Sequence, residues 1–209
     1  MQSAGGATPG VAQALAARRS CRNYRPDPLP SELLNGLIDQ ARRAPTAGNC
    51  QGVEFLVLDQ PDQVAAYWEI TLSEERKKAF PWPGLLLAPA LVVPYGMPSR
   101  YLERYREPDK ATAEMGENIE QWPVPYWLVD GAAAAMALQL LVVEAGLACC
   151  FFGQFSHEKN IADRFGVPQE AVAVGTLAIG YAADDRPSKS TKRPRRPLAE
   201  VLHNGRWGR

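Results

Sequence analysis

Chemistry-bearing side chains are scarce in this 209-residue sequence. It holds two histidines, His157 and His203, and four cysteines, at positions 21, 50, 149 and 150. No two cysteines form a Cys-x-x-Cys pair, and so few histidines argue against a zinc site, so no metal is expected. A Gly-x-Ser-x-Gly element is missing, which argues against a Ser/His/Asp hydrolase. No Gly-x-Gly-x-x-Gly follows a strand, so a dinucleotide would bind only transiently. An excess of one charge is absent as well: the formal net charge is +0. Nucleic acid would call for a basic face. Cys149 and Cys150 lie in an apolar run with no cation beside them to lower a thiol pKa, so reduced thiols in a cytoplasmic protein are expected. Residues 1–8 are small and polar, so no secretory leader is expected there and this end is read as flexible. Gly131 to Phe152 is the one long apolar stretch. Gln139 and Glu144 interrupt it, and its flanks lack an aromatic belt, so a buried central helix is expected rather than a membrane span.

Against this plain background, residues 18–55 stand out. They read Arg18-Arg19-Ser20-Cys21-Arg22-Asn23-Tyr24, then Pro28-Leu29-Pro30, then an amphipathic helix, then Ala44-Pro45-Thr46-Ala47-Gly48-Asn49-Cys50-Gln51. Arginine's planar fork matches phosphate oxygens with paired, charge-assisted bonds. Small residues let backbone N–H groups approach a ligand closely. Asn49 and Gln51 each donate and accept, which suits the edge of a heterocycle. A phosphate carrying a planar, amide-bearing ring would use both blocks. Each block also has a plainer explanation: a solvated basic helix end for the first, and a helix-stopping turn with Asn in a left-handed conformation for the second.

The chain reads as one domain, 1–209, of α+β class. Thr8-Pro9 starts a first helix, with Val11, Ala12, Leu15 and Ala16 at helical spacing. Ser31 caps a second helix whose buried stripe is Leu33, Leu34, Leu37, Ile38 and Ala41. Strands are expected at Val53–Leu58, Ala90–Tyr95 and Val172–Tyr181. A surface helix is expected over 62–78, the long apolar helix over 128–148, and a short helix from Ser156 to Phe165. Residues 97–127 have weak periodicity and suit a variable lid. Residues 183–197 are too rich in proline for regular structure.

The ordered blocks resemble the nitroreductase family of FMN-dependent oxidoreductases. Its opening signature is Arg-Arg-Ser-x-Arg-x-aromatic, then Pro-x-Pro, then a helix ending in Ala-Pro-Ser/Thr-x-x-Asn-x-Gln. The likeness continues through Leu87 to Val93, the long apolar helix, Gly146 to Gly153, Gly180-Tyr181, and Arg193-Pro194-Arg195-Arg196-Pro197-Leu198. One departure is Gly52-Val53, where the family commonly has Pro-Trp. The resemblance implies a mostly antiparallel or mixed sheet flanked by helices in an intertwined homodimer with FMN sites at the interface. It implies that Arg18 and Ser20 hold the FMN phosphate, that Arg19 belongs to the same cofactor site, and that Arg193 and Arg195 close over the phosphate. Arg22 would reach the pyrimidine side of the flavin and stabilise its reduced form. Pro45, Thr46, Ala47, Asn49 and Gln51 would meet the flavin of the neighbouring subunit. The backbone at Phe152, Gly153 and Gln154 would face flavin N5. No side chain need act as a nucleophile. NAD(P)H would be the transient reductant, and a nitroaromatic, quinone or similar small molecule the acceptor. Trp122 and Tyr126 are candidates for the substrate side, with core packing as the competing role. The same resemblance leaves open a reductive dehalogenase or a flavin-consuming enzyme, and a flavin-binding or flavin-storing module is the alternative from a different class.

Overall fold

The computed structural model describes residues 10–208. The expected helix start at Thr8-Pro9 lies outside them. Helix α1 runs Val11–Ala17, and α2 runs Ser31–Ala41. Leu34, Leu37 and Ala41 of α2 are buried, with Leu33 and Ile38 packed beside them. Its stripe is therefore as the spacing predicts. Ser31 does not cap α2. Pro30 occupies the cap position, and Ser31 Oγ donates instead to Asp59 Oδ2 at 2.7 Å.

Strand β1 spans Val53–Leu58, and β2 spans Ala90–Gly96. They pair antiparallel over their whole length, with Val53 opposite Gly96 and Leu58 opposite Leu91. The helix expected over 62–78 is two helices, α3 at Pro61–Thr71 and α4 at Glu74–Lys78. Leu72 is extended, and Ser73 starts α4 by accepting from Arg76 N at 3.3 Å. Helix α3 is also no surface helix: Tyr67 and Trp68 are buried against the sheet. Helix α5, Pro98–Tyr105, falls in the stretch where no element is expected.

The long apolar helix α6 is Tyr126–Glu144. It ends four residues before the expected boundary, because Ala148–Phe152 forms strand β3. A short apolar run gives no periodicity that separates a strand from the tail of a buried helix. Helix α7 covers Glu158–Phe165, preceded by a single tight turn at Phe155–His157. The expected strand 172–181 is divided into β4, Val172–Ala173, and β5, Thr176–Gly180. Gly175 breaks it at φ +148, and a side chain there would meet the Phe151 ring at 2.6 Å.

The strand order is β1-β2-β5-β3, with β4 pairing the far end of β2, and all these pairings are antiparallel. Pro94 sits in central β2 without cost to the ladder. Its inner neighbours pair with β5 at residues 90–92 and with β4 at 95–96, so position 94 falls in the gap where no N–H is needed. Helices α2 and α6 cover one face, burying Leu138 and Val142 with Val92, Leu177 and Ile179. Helix α3 and the 80–88 segment cover the other face. Helix α6 has the length and composition of a membrane span, but it carries buried Asp130 and Gln139.

Candidate functional site

The first arginine block leaves α1 in extended chain. Cys21 N donates to Cys149 O at 3.0 Å, which lays Ser20 beside strand β3. From the other side the 181–185 segment laces the same residues. Arg25 N donates to Tyr181 O at 2.9 Å, Ala183 N to Asn23 O at 3.0 Å, and Arg22 N to Asp185 Oδ2 at 2.7 Å. Tyr24 is buried beneath, its hydroxyl donating to Ala178 O at 3.1 Å. Chain segments more than 160 residues apart are thus brought into one wall.

Between these segments opens a cleft of about 1080 Å³. Six arginines line it: Arg18, Arg19, Arg22, Arg186, Arg193 and Arg195. Asp185 is the single acid in the lining, and its Oδ2 accepts from Arg22 N rather than from a guanidinium. None of the six guanidinium groups has a carboxylate partner among the described residues. Hydroxyls of Ser20, Ser188, Ser190 and Thr191 complete the wall. Concentrated cations without internal counter-ions repel one another, and an anion resolves that repulsion. A phosphate dianion therefore fits this donor set.

The six arginines are not equivalent. Arg19 Nη1 donates to the carbonyls of Ala16 and Arg18 at 2.6 and 2.8 Å, so it finishes helix α1 as well as lining the cleft. Arg22 donates to Ser20 O at 3.2 Å and lies over the Trp82 ring, its Cζ 5.1 Å from the ring centroid. Arg186 stacks on the same ring at 4.5 Å and also donates to Pro81 O. Trp82, Asp185 and Arg186 are site residues that sequence reasoning missed. The basic tail pointed toward Arg186. Nothing in the local sequence marks Trp82, whose role depends on contacts across the fold.

Strand β3 links the cleft to the next candidates. Ala148 lines the cleft, and four residues of extended chain carry the strand roughly 13 Å to Phe152. Phe152 stacks on Trp68 with ring centroids 5.8 Å apart. Gly153 is exposed. The Gln154 side chain turns inward, where its Nε2 donates to Thr176 Oγ1 at 3.2 Å and Thr176 bonds Tyr67 OH at 2.8 Å. Only its backbone is left for a ligand.

The 45–51 turn is not part of the cleft. The turn rests on α5 and the first turns of α6 through Ala47 and Cys50, with Thr46 half-buried, while Pro45, Asn49 and Gln51 are exposed. Ala47 N donates to Asp130 Oδ2 at 2.8 Å, and Gln51 N to Thr46 Oγ1 at 3.0 Å. Arg104 Nε donates to Gly48 O at 2.8 Å, while its other nitrogens grip Asp109 at 2.7 Å. Beneath lies an aromatic cluster of Tyr101, Tyr105, Trp122 and Trp127. Trp122 is buried and donates its indole N–H to Met115 O at 2.9 Å, so it is committed to packing. Tyr126 is 39% exposed at the edge of the cluster.

The four thiols are unpaired. Burial pushes Cys149 up to about 12, and Cys150 and Cys21 are also raised, chiefly by burial. Cys50 is pushed up to about 11 by burial and then by the Asp130 charge. None is poised as a nucleophile at neutral pH. No cluster of metal-ligating side chains occurs among the described residues.

The chain belongs to the nitroreductase family, whose profile matches residues 15–181. It is 28% identical over 178 residues to the NADH dehydrogenase of Thermus thermophilus, covering 80% of this chain and 84% of that protein. A protein from Exiguobacterium sibiricum solved in complex with FMN has the same fold, with a TM-score of 0.69 at 21% identity over 95% of this chain and 98% of that one. The NfrA1 nitroreductase of B. subtilis superposes with a TM-score of 0.72 at 21% identity, over 95% of this chain and 75% of that one.

Proposed function

We propose that this chain is an FMN-dependent NAD(P)H oxidoreductase that works as a homodimer and reduces a small, electron-poor acceptor such as a nitroaromatic or a quinone. The observation that carries the reading is the cleft of six arginines without acidic partners, built from both ends of a nitroreductase-family chain. FMN, when bound, supplies the two-electron carrier that takes hydride from NAD(P)H and passes it to the acceptor. The protein's own part is binding, orientation and electrostatics.

Arg18, Arg193, Arg195 and Ser20 hold the phosphate, with Arg19 and Arg186 adding positive potential around it. Arg22 is held by Trp82 and by the Ser20 carbonyl, so its charge is in place before the cofactor arrives. A fixed cation beside the pyrimidine edge favours the more negative, reduced ring. Exposed Gly153 offers backbone at the far end of β3, and the 45–51 turn comes from the second subunit. Two features support that division. The turn lies outside the cleft that its own chain provides. In addition, Val11, Ala14, Ala137, Leu140 and Leu141 line a mostly apolar groove along α6, which also carries Gln40, Arg43 and Glu144, with Val11 70% exposed. An uncovered apolar face of that kind suits a second copy. Of Trp122 and Tyr126, Tyr126 is the one left exposed to meet an acceptor. Four unpaired thiols suit a reducing compartment such as the cytoplasm.

The test is the visible spectrum of the purified dimer after incubation with FMN, before and after anaerobic NADH and NADPH. Flavin bands that bleach with a nucleotide and recover with a quinone or nitroaromatic are the expected result. Bound flavin that neither nucleotide reduces would replace the enzyme with a flavin carrier. Failure to bind FMN would remove the reading altogether.

A further inference from the structure

Two non-glycine residues of the 45–51 turn hold left-handed backbone, Asn49 at φ 56 and Gln51 at φ 51. Both are exposed, and neither side-chain amide has a hydrogen-bond partner among the described residues. Left-handed backbone at a residue such as glutamine persists only where its surroundings impose it. Here the imposing groups can be named. Asp130 is a carboxylate 6% exposed in the largely apolar helix α6. It has no cationic partner among the described residues. Its Oδ2 accepts from Ala47 N at 2.8 Å and from Tyr101 OH at 2.7 Å. Arg104 fastens the Gly48 carbonyl, Tyr105 crowds Gly48 so that a side chain there would meet it at 2.9 Å, and Tyr101 crowds Gly52 at 2.5 Å. A buried carboxylate without a cation is an expensive way to fill a helix interface, where an apolar side chain of similar size would pack more favourably. What the carboxylate does that leucine cannot is accept from the backbone of the turn and from the phenol beneath it at one oxygen.

We propose that Asp130 is a positioning residue for the cofactor. Through Ala47 and Tyr101 it fixes the turn in the shape that presents the unused Asn49 and Gln51 amides to the FMN held by a second copy of the chain. This rests on the functional reading above. It also gives the 97–127 region a role: α5 and the aromatic cluster are the buttress against which the turn is clamped, so changes there act on the flavin without touching it.

The test compares wild type, Asp130→Asn and Tyr101→Phe as full-length dimers. FMN affinity is read by quenching of flavin fluorescence, cofactor geometry by visible circular dichroism, and folding by the melting temperature of the FMN-free protein. Asp130→Asn is expected to weaken FMN binding about tenfold, the scale of one lost charge-assisted hydrogen bond. It should also change the flavin dichroism while melting within a few degrees of wild type. Tyr101→Phe should move both readouts the same way by less, and the double variant should be no worse than Asp130→Asn, since both act through one oxygen. Wild type that binds FMN alongside variants of equal affinity and dichroism overturns this inference alone. Affinity lost only in step with melting temperature or with the dimer overturns it too, by making Asp130 a folding residue. Wild type that takes up no FMN overturns this inference and the functional reading together. Should Asp130→Asn fail to fold, Tyr101→Phe carries the same comparison.

Discussion

The cleft between residues 18–22 and 185–195 is an open polar wall of cations left without internal partners, whereas the turn at 45–51 is an exposed loop held rigid by a buried aromatic core. One region stores unfavourable electrostatics that a ligand relieves. The other stores unfavourable backbone geometry that the fold pins in place. They should therefore fail differently. Damage to the cleft should cost binding and leave folding alone, while emptying the aromatic cluster beneath the turn should cost folding first; the single Asp130 clamp lies between the two, costing cofactor geometry more than stability.

The largest expected effect lies under the turn. Trp122→Ala empties the centre of the Tyr101, Tyr105 and Trp127 cluster and strands the Met115 carbonyl. Chemical denaturation should show a loss of about 3–5 kcal/mol. In the cleft, Arg18→Ala should weaken FMN binding roughly tenfold to a hundredfold, the range for one charge-assisted contact to phosphate. The FMN-free protein should melt no lower than wild type, because one uncompensated charge has gone. A melting temperature several degrees lower would mean that the guanidinium has a structural partner and would blur the distinction.

Alkaline titration separates the regions further. Above the ordinary thiol value of 9.0 the unfolded chain releases a proton that folded Cys149 keeps up to about 12. The unfolded state then binds fewer protons, so stability falls with rising pH across that window, by up to about 1.4 kcal/mol per pH unit. Denaturation of Cys149→Ala should show a shallower alkaline decline than wild type. Cys50, raised by burial and by Asp130, should react slowly with iodoacetamide at neutral pH and somewhat faster in Asp130→Asn. The smallest effect is ionic: raising salt should weaken FMN binding several-fold through screening of the exposed arginines and barely move the melting temperature.

How much of this the sequence discloses follows the same division. The cleft was legible because each half is a local cluster of arginines, and the charge pattern survives without knowledge of the fold. Strand β1 was legible to the residue, since Gly52 and Pro61 bracket a short, mostly apolar run rich in β-branched and aromatic residues. Strand β3 was not, because residues 147–152 continue the hydrophobicity of α6 without a change of period. Helix α5 hid behind its charged surface, with Pro98 and Tyr101 its buried positions. Asp130 was invisible for a deeper reason. An acid in an apolar helix has no local signature for a partner 83 residues away. Trp82 is the same case in the cleft: a turn residue by sequence, a guanidinium platform by structure.

The cleft's role as a phosphate site can be tested without reference to the acceptor. FMN and riboflavin, which share the ring and differ by the phosphate, are titrated into wild type and into the Arg18→Ala/Arg195→Ala double variant. Wild type should bind FMN at least about a hundredfold more tightly than riboflavin, and the double variant should lose most of that preference while its riboflavin affinity stays put. Equal affinities for the two flavins in wild type, or a preference that survives loss of both arginines, would contradict it.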